Sequence, residues 1–211
     1  MIKLIAFNIA VLSAGVCIMT AEAEQNTETI VLGMGCFWGA EKRMRAIQGV
    51  IDVECGYAGG DLADVRSYDG VLMLEKLIQA GLAQARNHAE VVKVIFDPGQ
   101  VSLETILTHF WENHDPTQGN RQGFDIGSNY RSAIYTLSQE QMAIAEKSKA
   151  IYEDALSKAG YPSITTEIMP LQHYTSAESY HQRYLQKNPH GYCGLGGTGV
   201  AYPREPEVDK Q

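Results

Sequence analysis

The chain has 211 residues, of which 45% are hydrophobic and 20% are charged, so a disordered or low-complexity protein is excluded. Its formal net charge of −8 lacks the basic excess that binding to a nucleic-acid backbone requires. Four cysteines are too few for a small scaffold held together by disulfides. The length suits one domain with its own hydrophobic core.

The first 23 residues are typical of a secretory signal peptide. Lys3 supplies a positive charge, residues 4–19 are mostly apolar, and Ala21-Glu22-Ala23 offers small residues for cleavage. The apolar run is short for a membrane span and no basic flank follows it, so we expect no stable membrane insertion after cleavage. We therefore predict an exported protein, periplasmic or secreted, with residues 24–211 as its single domain.

Strands and helices are predicted to alternate along the rest of the chain, from apolar spacing and from turn residues. The predicted strands are residues 29–35, 50–55, 90–96, 130–137 and 165–169. The predicted helices are residues 38–47, 71–86, 102–114, 138–159 and 176–187. Residues 115–129 form a long polar loop, and the tail after Pro189 is irregular. This order favours an α/β or α+β sandwich over a helix bundle or a barrel.

The strongest local motif is Gly35-Cys36-Phe37-Trp38-Gly39, which places a cysteine between a predicted strand and a predicted helix. Free N–H groups and the helix dipole at that position are expected to lower the thiol pKa. Phe37 and Trp38 would form an apolar cup suited to a methyl or thioether group. The alternative is a structural cysteine among core aromatic residues.

Other candidate residues lie in three separate stretches. Glu90 opens a predicted strand, where a carboxylic acid beside an apolar cup can have a raised pKa and donate a proton; the alternative is a surface carboxylate. No Cys-x-x-Cys accompanies His88-Ala89-Glu90, so we exclude a zinc deaminase, and the residues alone mark no metal site. In the polar region Asp125 could accept a main-chain N–H and Tyr130 could donate a hydrogen bond. Cys193 lies in a glycine-rich tail that could reach another cysteine and resolve an oxidised form.

Together these stretches resemble the peptide-methionine sulfoxide reductase A family over roughly residues 30–203. The shared blocks occur in family order: Gly-Cys-Phe-Trp-Gly, Gly-Tyr-Ala-Gly-Gly, His-Ala-Glu, Asp-x-Gly-x-x-Tyr-Arg-Ser and Gly-Tyr-Cys-Gly. The resemblance implies a two-layer α/β sandwich with a ferredoxin-like core, a mixed sheet with flanking helices, and long irregular termini. It implies thiol-dependent reduction of methionine S-sulfoxide, free or in proteins, as repair of oxidised proteins. It implies no cofactor; a thioredoxin-like partner, or dithiothreitol in vitro, supplies the electrons. A monomer is the default.

The same resemblance implies a role for each catalytic residue. Cys36 would attack the sulfoxide sulfur and be left as a sulfenic acid, and Glu90 would protonate the sulfoxide oxygen. Tyr130 and Tyr68 would hydrogen-bond that oxygen. Cys193 would then condense with the sulfenic acid to form a disulfide.

For substrate binding, the resemblance implies that Phe37 and Trp38 hold the methyl group and that Asp125 holds the substrate main chain. Residues 72–87 depart from the family pattern, because a short turn usually stands between the tyrosine at the position of Tyr68 and the His-Ala-Glu block. Tyr57 is therefore kept as the alternative to Tyr68.

Two other functions remain open at this point. A cysteine hydrolase or acyltransferase would need an imidazole near Cys36, and the sequence marks none. A non-catalytic protein that binds methionine sulfoxide or a partner would follow if the insertion at residues 72–87 altered the site. Cys55 is expected to be a buried bystander.

Overall fold

The structure, a computed structural model, describes residues 26–62 and 67–204. The predicted signal peptide at residues 1–23 lies outside the described residues. The strands are β1 (Glu28–Met34), β2 (Val50–Ala58), β3 (Ala89–Phe96), β4 (Arg121–Gln122), β5 (Asp125–Ile126), β6 (Ser132–Thr136), β7 (Glu167–Pro170) and β8 (Tyr174–Ser176). The helices are α1 (Phe37–Arg45), α2 (Tyr68–Gln79), α3 (Leu103–Glu112), α4 (Gln139–Lys158) and α5 (Tyr184–Lys187), with a 3-10 turn at Ser128–Tyr130.

Six strands form one mixed sheet in the order β7-β6-β1-β3-β2-β8, in which only β6 and β7 pair in parallel. Its four central strands, with α1 and α3 as connections, follow the βαββαβ order of a ferredoxin-like core. Strands β4 and β5 form a separate small hairpin within the predicted polar loop. The predicted two-layer α/β sandwich is confirmed.

The main core lies between the sheet and its helices. Ile30, Leu32 and Met34 alternate along β1 and join one large apolar cluster with Phe110 and Trp111 of α3. Burial of this face provides most of the driving force for packing the helices on the sheet. Strand β1 is also covered on its other face, which explains why its apolar run is nearly continuous.

The prediction of a helix over residues 176–187 was wrong. Ser176 ends β8, which pairs with β2, and only Tyr184–Lys187 is an α-helix. The Gln182 side chain binds both the main-chain N–H and the carbonyl of Cys55, at 2.8 Å and 2.9 Å. These long-range hydrogen bonds hold the segment in an irregular conformation that local helical preference does not overcome.

The predicted helix over residues 71–86 is shifted in the structure. Helix α2 begins at Tyr68, after Ser67 caps it by accepting the N–H of Gly70 at 3.2 Å, and it ends at Gln79. Among the described residues, no helix has both the length and the apolar character of a membrane span.

Candidate active site

Cys36 lies at the junction between β1 and α1, where it is the N-terminal cap residue of the helix. Gly35 permits this turn because its φ is +99°, in the left-handed region that favours glycine. A Cβ at Gly35 would also lie 2.6 Å from the Cβ of Gln122. The strand thus delivers the sulfur to the first turn of α1, as the sequence predicts, but leaves it only 7% exposed.

The ionisation of Cys36 differs from the prediction. Burial raises the pKa of the thiol well above its ordinary value, and the nearby Glu90 carboxyl raises it further. The main-chain N–H groups of Trp38 and Gly39 lower the pKa, as expected at a helix N-terminus, but by less. The prediction of a lowered thiol pKa was therefore wrong, because desolvation outweighs the two N–H groups. With its pKa raised, Cys36 is a neutral thiol at neutral pH, and a nucleophilic role would require a proton acceptor.

Glu90 supplies an acid next to this thiol. It is the second residue of β3 and 2% exposed, and its Oε2 accepts the main-chain N–H of Phe37 at 3.1 Å. Burial raises the pKa of Glu90 to about 8, the Phe37 N–H opposes that rise, and the charge of Asp125 adds to it. Near pH 7 most of the carboxyl is protonated, which is the state that a general acid requires.

Two phenols lie near the Glu90 carboxyl. Tyr68 is the first residue of α2 and Tyr130 ends the 3-10 turn, and both are half-buried. Burial raises the pKa of each phenol, and the charge of Glu90 is the next cause for both. Tyr57 is fully buried, and its hydroxyl donates to Glu178 at 3.0 Å. This commitment favours Tyr68 over Tyr57 as a hydrogen-bond donor to a substrate.

Trp38 is the more accessible of the two aromatic residues after Cys36. It is half-buried, and its ring stacks on Tyr184 with centroids 3.8 Å apart and planes 15° from parallel. Its Nε1–H donates to Nδ1 of His181 at 3.1 Å. Phe37 is 1% exposed and packs with its centroid 4.9 Å from that of His181. Trp38 therefore offers a fixed aromatic wall, and Phe37 packs behind the site.

His181 and Glu178 connect these aromatic residues, and the sequence analysis did not assign either to the site. His181 is 2% exposed, and its Nε2 lies 3.9 Å from Oε2 of Glu178. Glu178 also accepts the main-chain N–H of Tyr68 at 2.9 Å. In the predicted helix over residues 176–187, Glu178 would lie in the first turn, where an acid is favourable, so the local pattern carries no signal for a tertiary role.

Asp125 and Asn129 approach the acid from the polar region. Burial raises the pKa of Asp125, and the Tyr192 hydroxyl donates to its Oδ2 at 3.3 Å. Asn129 is fully buried and close enough to Glu90 and Tyr130 for its amide to lower the pKa of both. The sequence analysis gave no role to Asn129, because its residue type did not distinguish it from the rest of the loop.

Cys193 lies beside the helix that carries Cys36. Its Sγ is 3.1 Å from the position that a Cβ on Gly39 would occupy, in the first turn of α1. Leu195 is 7% exposed, and its carbonyl accepts a hydrogen bond from Nη2 of Arg43 at 2.6 Å, which fastens the tail to α1. Within the described residues, the three cysteines are all free thiols, and Cys193 alone is exposed.

Cys55 occupies the interior of β2 and is fully buried. Its Sγ donates to the carbonyl of Phe37 at 3.7 Å, and burial raises the pKa of its thiol far above the ordinary value. A neutral thiol without solvent access reacts slowly. In the described part of the chain, no three His, Cys, Asp or Glu side chains converge as they would around a metal ion.

A buried thiol beside a protonated carboxylic acid, with a second thiol against the same helix, is suited to two-electron reduction through a disulfide. These features define a thiol-dependent oxidoreductase. The family model described as "Peptide methionine sulfoxide reductase" matches residues 28–198. The chain belongs to the peptide methionine sulfoxide reductase family, which confirms the resemblance in the sequence.

Relatives in distant organisms match most of the chain. The peptide methionine sulfoxide reductase MsrA of Vibrio cholerae is 50% identical over 185 residues, which cover 88% of this chain and 82% of that protein. The human mitochondrial peptide methionine sulfoxide reductase is 48% identical over 179 residues, covering 85% and 72%. The structure of methionine sulfoxide reductase A from Corynebacterium diphtheriae matches with a TM-score of 0.71 and 40% identity, covering 87% of this chain and 85% of that chain.

Proposed function

We propose that the protein reduces the S epimer of methionine sulfoxide, free or in proteins, with Cys36 as nucleophile and Glu90 as general acid. The reaction class follows from family membership, and the assignment of residues rests on the geometry. The observation that carries it is the 3.1 Å hydrogen bond from the Phe37 N–H to Glu90. This bond holds a protonated acid beside the residue that follows the nucleophile, and a sulfoxide oxygen leaves only after protonation.

The first step transfers the oxygen to Cys36. Glu90 donates its proton to the sulfoxide oxygen, the Cys36 sulfur forms a bond to the substrate sulfur, and the thiol proton passes to the Glu90 carboxylate. The hydroxyl then moves from the substrate sulfur to the Cys36 sulfur as the bond between the two sulfurs breaks, and its electron pair stays on the substrate sulfur. The substrate leaves as the thioether, reduced by two electrons, and Cys36 becomes a sulfenic acid. No metal or organic cofactor takes part in this exchange.

The preference for one epimer follows from three different contacts around a tetrahedral sulfur. The oxygen faces the Glu90 acid and the hydroxyls of Tyr68 and Tyr130, the methyl group packs on Trp38, and the remaining arm extends towards Asp125. In the opposite epimer, the same arm position would place the oxygen against the indole ring. A strongly accepting oxygen without donors there loses several hydrogen bonds, so that epimer binds poorly.

The second step restores the site. The Cys193 thiol attacks the Cys36 sulfenic sulfur, which forms a disulfide and releases water. A thioredoxin-like dithiol then reduces the disulfide by exchange, and dithiothreitol takes its place in vitro. The position of the Cys193 sulfur against α1 supports this role.

Export is the second part of the proposal. The apolar segment and the Ala21-Glu22-Ala23 pattern support cleavage after Ala23, which places the enzyme in the periplasm or outside the cell. In such an oxidising compartment, the disulfide would need a reductant fed from the membrane. N-terminal sequencing of the protein from cell fractions tests this, and an uncleaved cytoplasmic chain would contradict it.

Neither alternative from the sequence gains support. Helix α2 does not separate Tyr68 from the other site residues, so the insertion leaves the site assembled. The only imidazole in contact with the aromatic residues beside Cys36, among those described, is His181, and its nitrogens face Trp38 and Glu178. A hydrolase base for Cys36 is therefore not provided there.

The test is turnover of separated S and R methionine sulfoxide with dithiothreitol, by residues 24–211 and by matched variants. We expect turnover of the S epimer, its loss in Cys36→Ser, and one fast reduction followed by a slow steady state in Cys193→Ser with a thioredoxin reductant. Equal turnover of both epimers, or activity in Cys36→Ser, would contradict the assignment.

A further inference from the structure

Helix α2 has an unusual buried residue. Its apolar face is formed by Val71 and Leu74, and beside them Glu75 is only 7% exposed. A buried carboxylate costs free energy unless hydrogen bonds replace its water. The partners of Glu75 therefore indicate what this helix holds in place.

Four donors surround the Glu75 carboxylate. Its Oε1 accepts the main-chain N–H of Ser128 at 2.9 Å and the side-chain amide of Gln79 at 3.0 Å. Its Oε2 accepts the Ser128 hydroxyl and the Asn87 Nδ2 at 3.1 Å. Burial alone would raise the pKa of Glu75, but these hydrogen bonds hold it below the ordinary value, so the group is ionised at neutral pH.

Ser128 and Asn87, which both donate to Glu75, lie just before the two residues proposed to act on the sulfoxide oxygen, Tyr130 and Glu90. Ser128 opens the 3-10 turn that ends at Tyr130. Asn87 precedes Glu90 by three residues, and its side-chain oxygen accepts the N–H of His88 at 2.9 Å. Glu75 therefore links the start of one catalytic segment to the start of the other.

Arg131 makes the matching connection from the opposite side. Its Nη1 donates to the carbonyl oxygens of Asn87 and Ser128, at 2.9 Å and 2.8 Å. The same two residues are thus held by a guanidinium at their carbonyls and by the Glu75 carboxylate at their donors. Removing the carboxylate leaves one connection of two and takes the acceptor from both the N–H and the hydroxyl of Ser128.

We propose that Glu75 is a positioning residue for proton delivery: through Ser128 and Asn87, it fixes Tyr130 and Glu90 relative to each other. Helix α2 also begins with Tyr68, so one helix places all three groups around the sulfoxide oxygen. This inference rests on the proposed function, because it assigns those groups to that oxygen. It gives the insertion at residues 72–87 a catalytic purpose rather than a disruptive one.

Glu75→Gln tests the proposal, with Asp69→Asn as the matched control on the exposed side of the same helix. Glutamine keeps the size of the side chain but turns an NH2 group towards donors. We expect kcat for S-sulfoxide to fall about tenfold, with KM within about twofold, because misplaced groups mainly affect the transition state. Asp69→Asn should leave both constants unchanged.

A double-mutant cycle separates positioning from general damage. In a Tyr130→Phe background, Glu75→Gln should cost clearly less than tenfold in kcat, because only its effect on Glu90 remains. The same tenfold loss in both backgrounds, or a loss that only follows the folded fraction, would overturn the proposal. Unchanged kcat in Glu75→Gln would also overturn it.

A second readout does not depend on sulfoxide reduction. The rate of Cys36 alkylation by iodoacetamide, measured against pH in Cys193→Ser, reports the pKa of the Cys36 thiol, which depends on the position and charge of the neighbouring Glu90. Glu75→Gln should shift the midpoint of that profile, and Asp69→Asn should not. If the wild type reduces no sulfoxide but Glu75→Gln still shifts the alkylation profile, the proposed function is refuted and the placement of Glu90 by Glu75 is retained. No shift would overturn the placement.

Discussion

Glu90 is expected to reduce the stability of the protein at neutral pH, and Glu90→Gln should recover it. Burial raises the pKa of this carboxyl from 4.5 to about 8. Between these two pH values, the folded chain holds a proton that the unfolded chain has lost. The contribution to stability is therefore complete below about pH 4.5, falls as the pH rises, and levels off above about pH 8.

The magnitude follows from that interval. From pH 4.5 to pH 7, the ionisation of Glu90 in the unfolded chain lowers the free energy of unfolding. The loss corresponds to roughly two and a half pKa units, or about 3 kcal/mol. Glutamine has the same shape, its oxygen can accept the Phe37 N–H, and it does not ionise. Compared with the wild type, Glu90→Gln should gain up to about 3 kcal/mol of unfolding free energy at pH 7 and about none at pH 4.5. Its kcat should fall about 10²- to 10⁴-fold, because no acid remains.

Urea unfolding followed by circular dichroism at pH 4.5, 6, 7 and 8 measures this difference. Glu146→Gln, an exposed glutamate on α4, is the control and should follow the wild type at every pH. Parallel stability curves for the wild type and Glu90→Gln would refute the reasoning, because they would show that Glu90 ionises in the folded protein as it does in the unfolded chain.

Three further results are expected. Wild-type kcat/KM for S-sulfoxide should stay level to neutral pH and decline above about pH 8, as the acid ionises; a rise through that range would contradict the role. Gly39→Ala should slow disulfide formation about tenfold while leaving the first turnover intact, because its Cβ would meet the Cys193 sulfur at 3.1 Å; thiol titration during turnover measures this. Tyr68→Phe should lower kcat about tenfold, whereas Tyr57→Phe should instead cost about 1 kcal/mol of unfolding free energy through its lost bond to Glu178; the reverse pattern would exchange their roles.

The fold was predictable where local pattern and tertiary structure agree. The apolar run of β1 and the capped helix α3 after Ser102 lie close to their predicted positions. The prediction for residues 176–187 was wrong, because Gln182 binds strand β2 and Glu178 binds the start of helix α2, and no local pattern records such distant partners. The placement of Cys36 at the start of α1 was also predictable, since a strand, a glycine and a helix follow directly in sequence.

The network around the site was less predictable, because its residues are far apart in the chain. Glu75 and Ser128 are 53 positions apart, and Trp38 and His181 are 143 apart. A glutamate in an amphipathic helix normally faces solvent, so the pattern around Glu75 indicates an exposed residue. Only the packing of α2 against the 3-10 turn makes that position an internal one.

The raised pKa values of Cys36 and Glu90 belong to one mechanism. Helix N–H groups near a sulfur suggest a thiolate at rest, but a thiolate in a free protein would also react with peroxides and other oxidants. In the mechanism that we propose, burial instead keeps both protons in place until a sulfoxide oxygen, itself a strong acceptor, arrives beside Glu90. Once Glu90 had given up its proton to the substrate, its carboxylate would be the base that the Cys36 thiol requires. The N–H groups of α1, which lower the thiol pKa, would then stabilise the developing negative charge on sulfur, so the proposed mechanism makes the substrate itself the activator of the nucleophile.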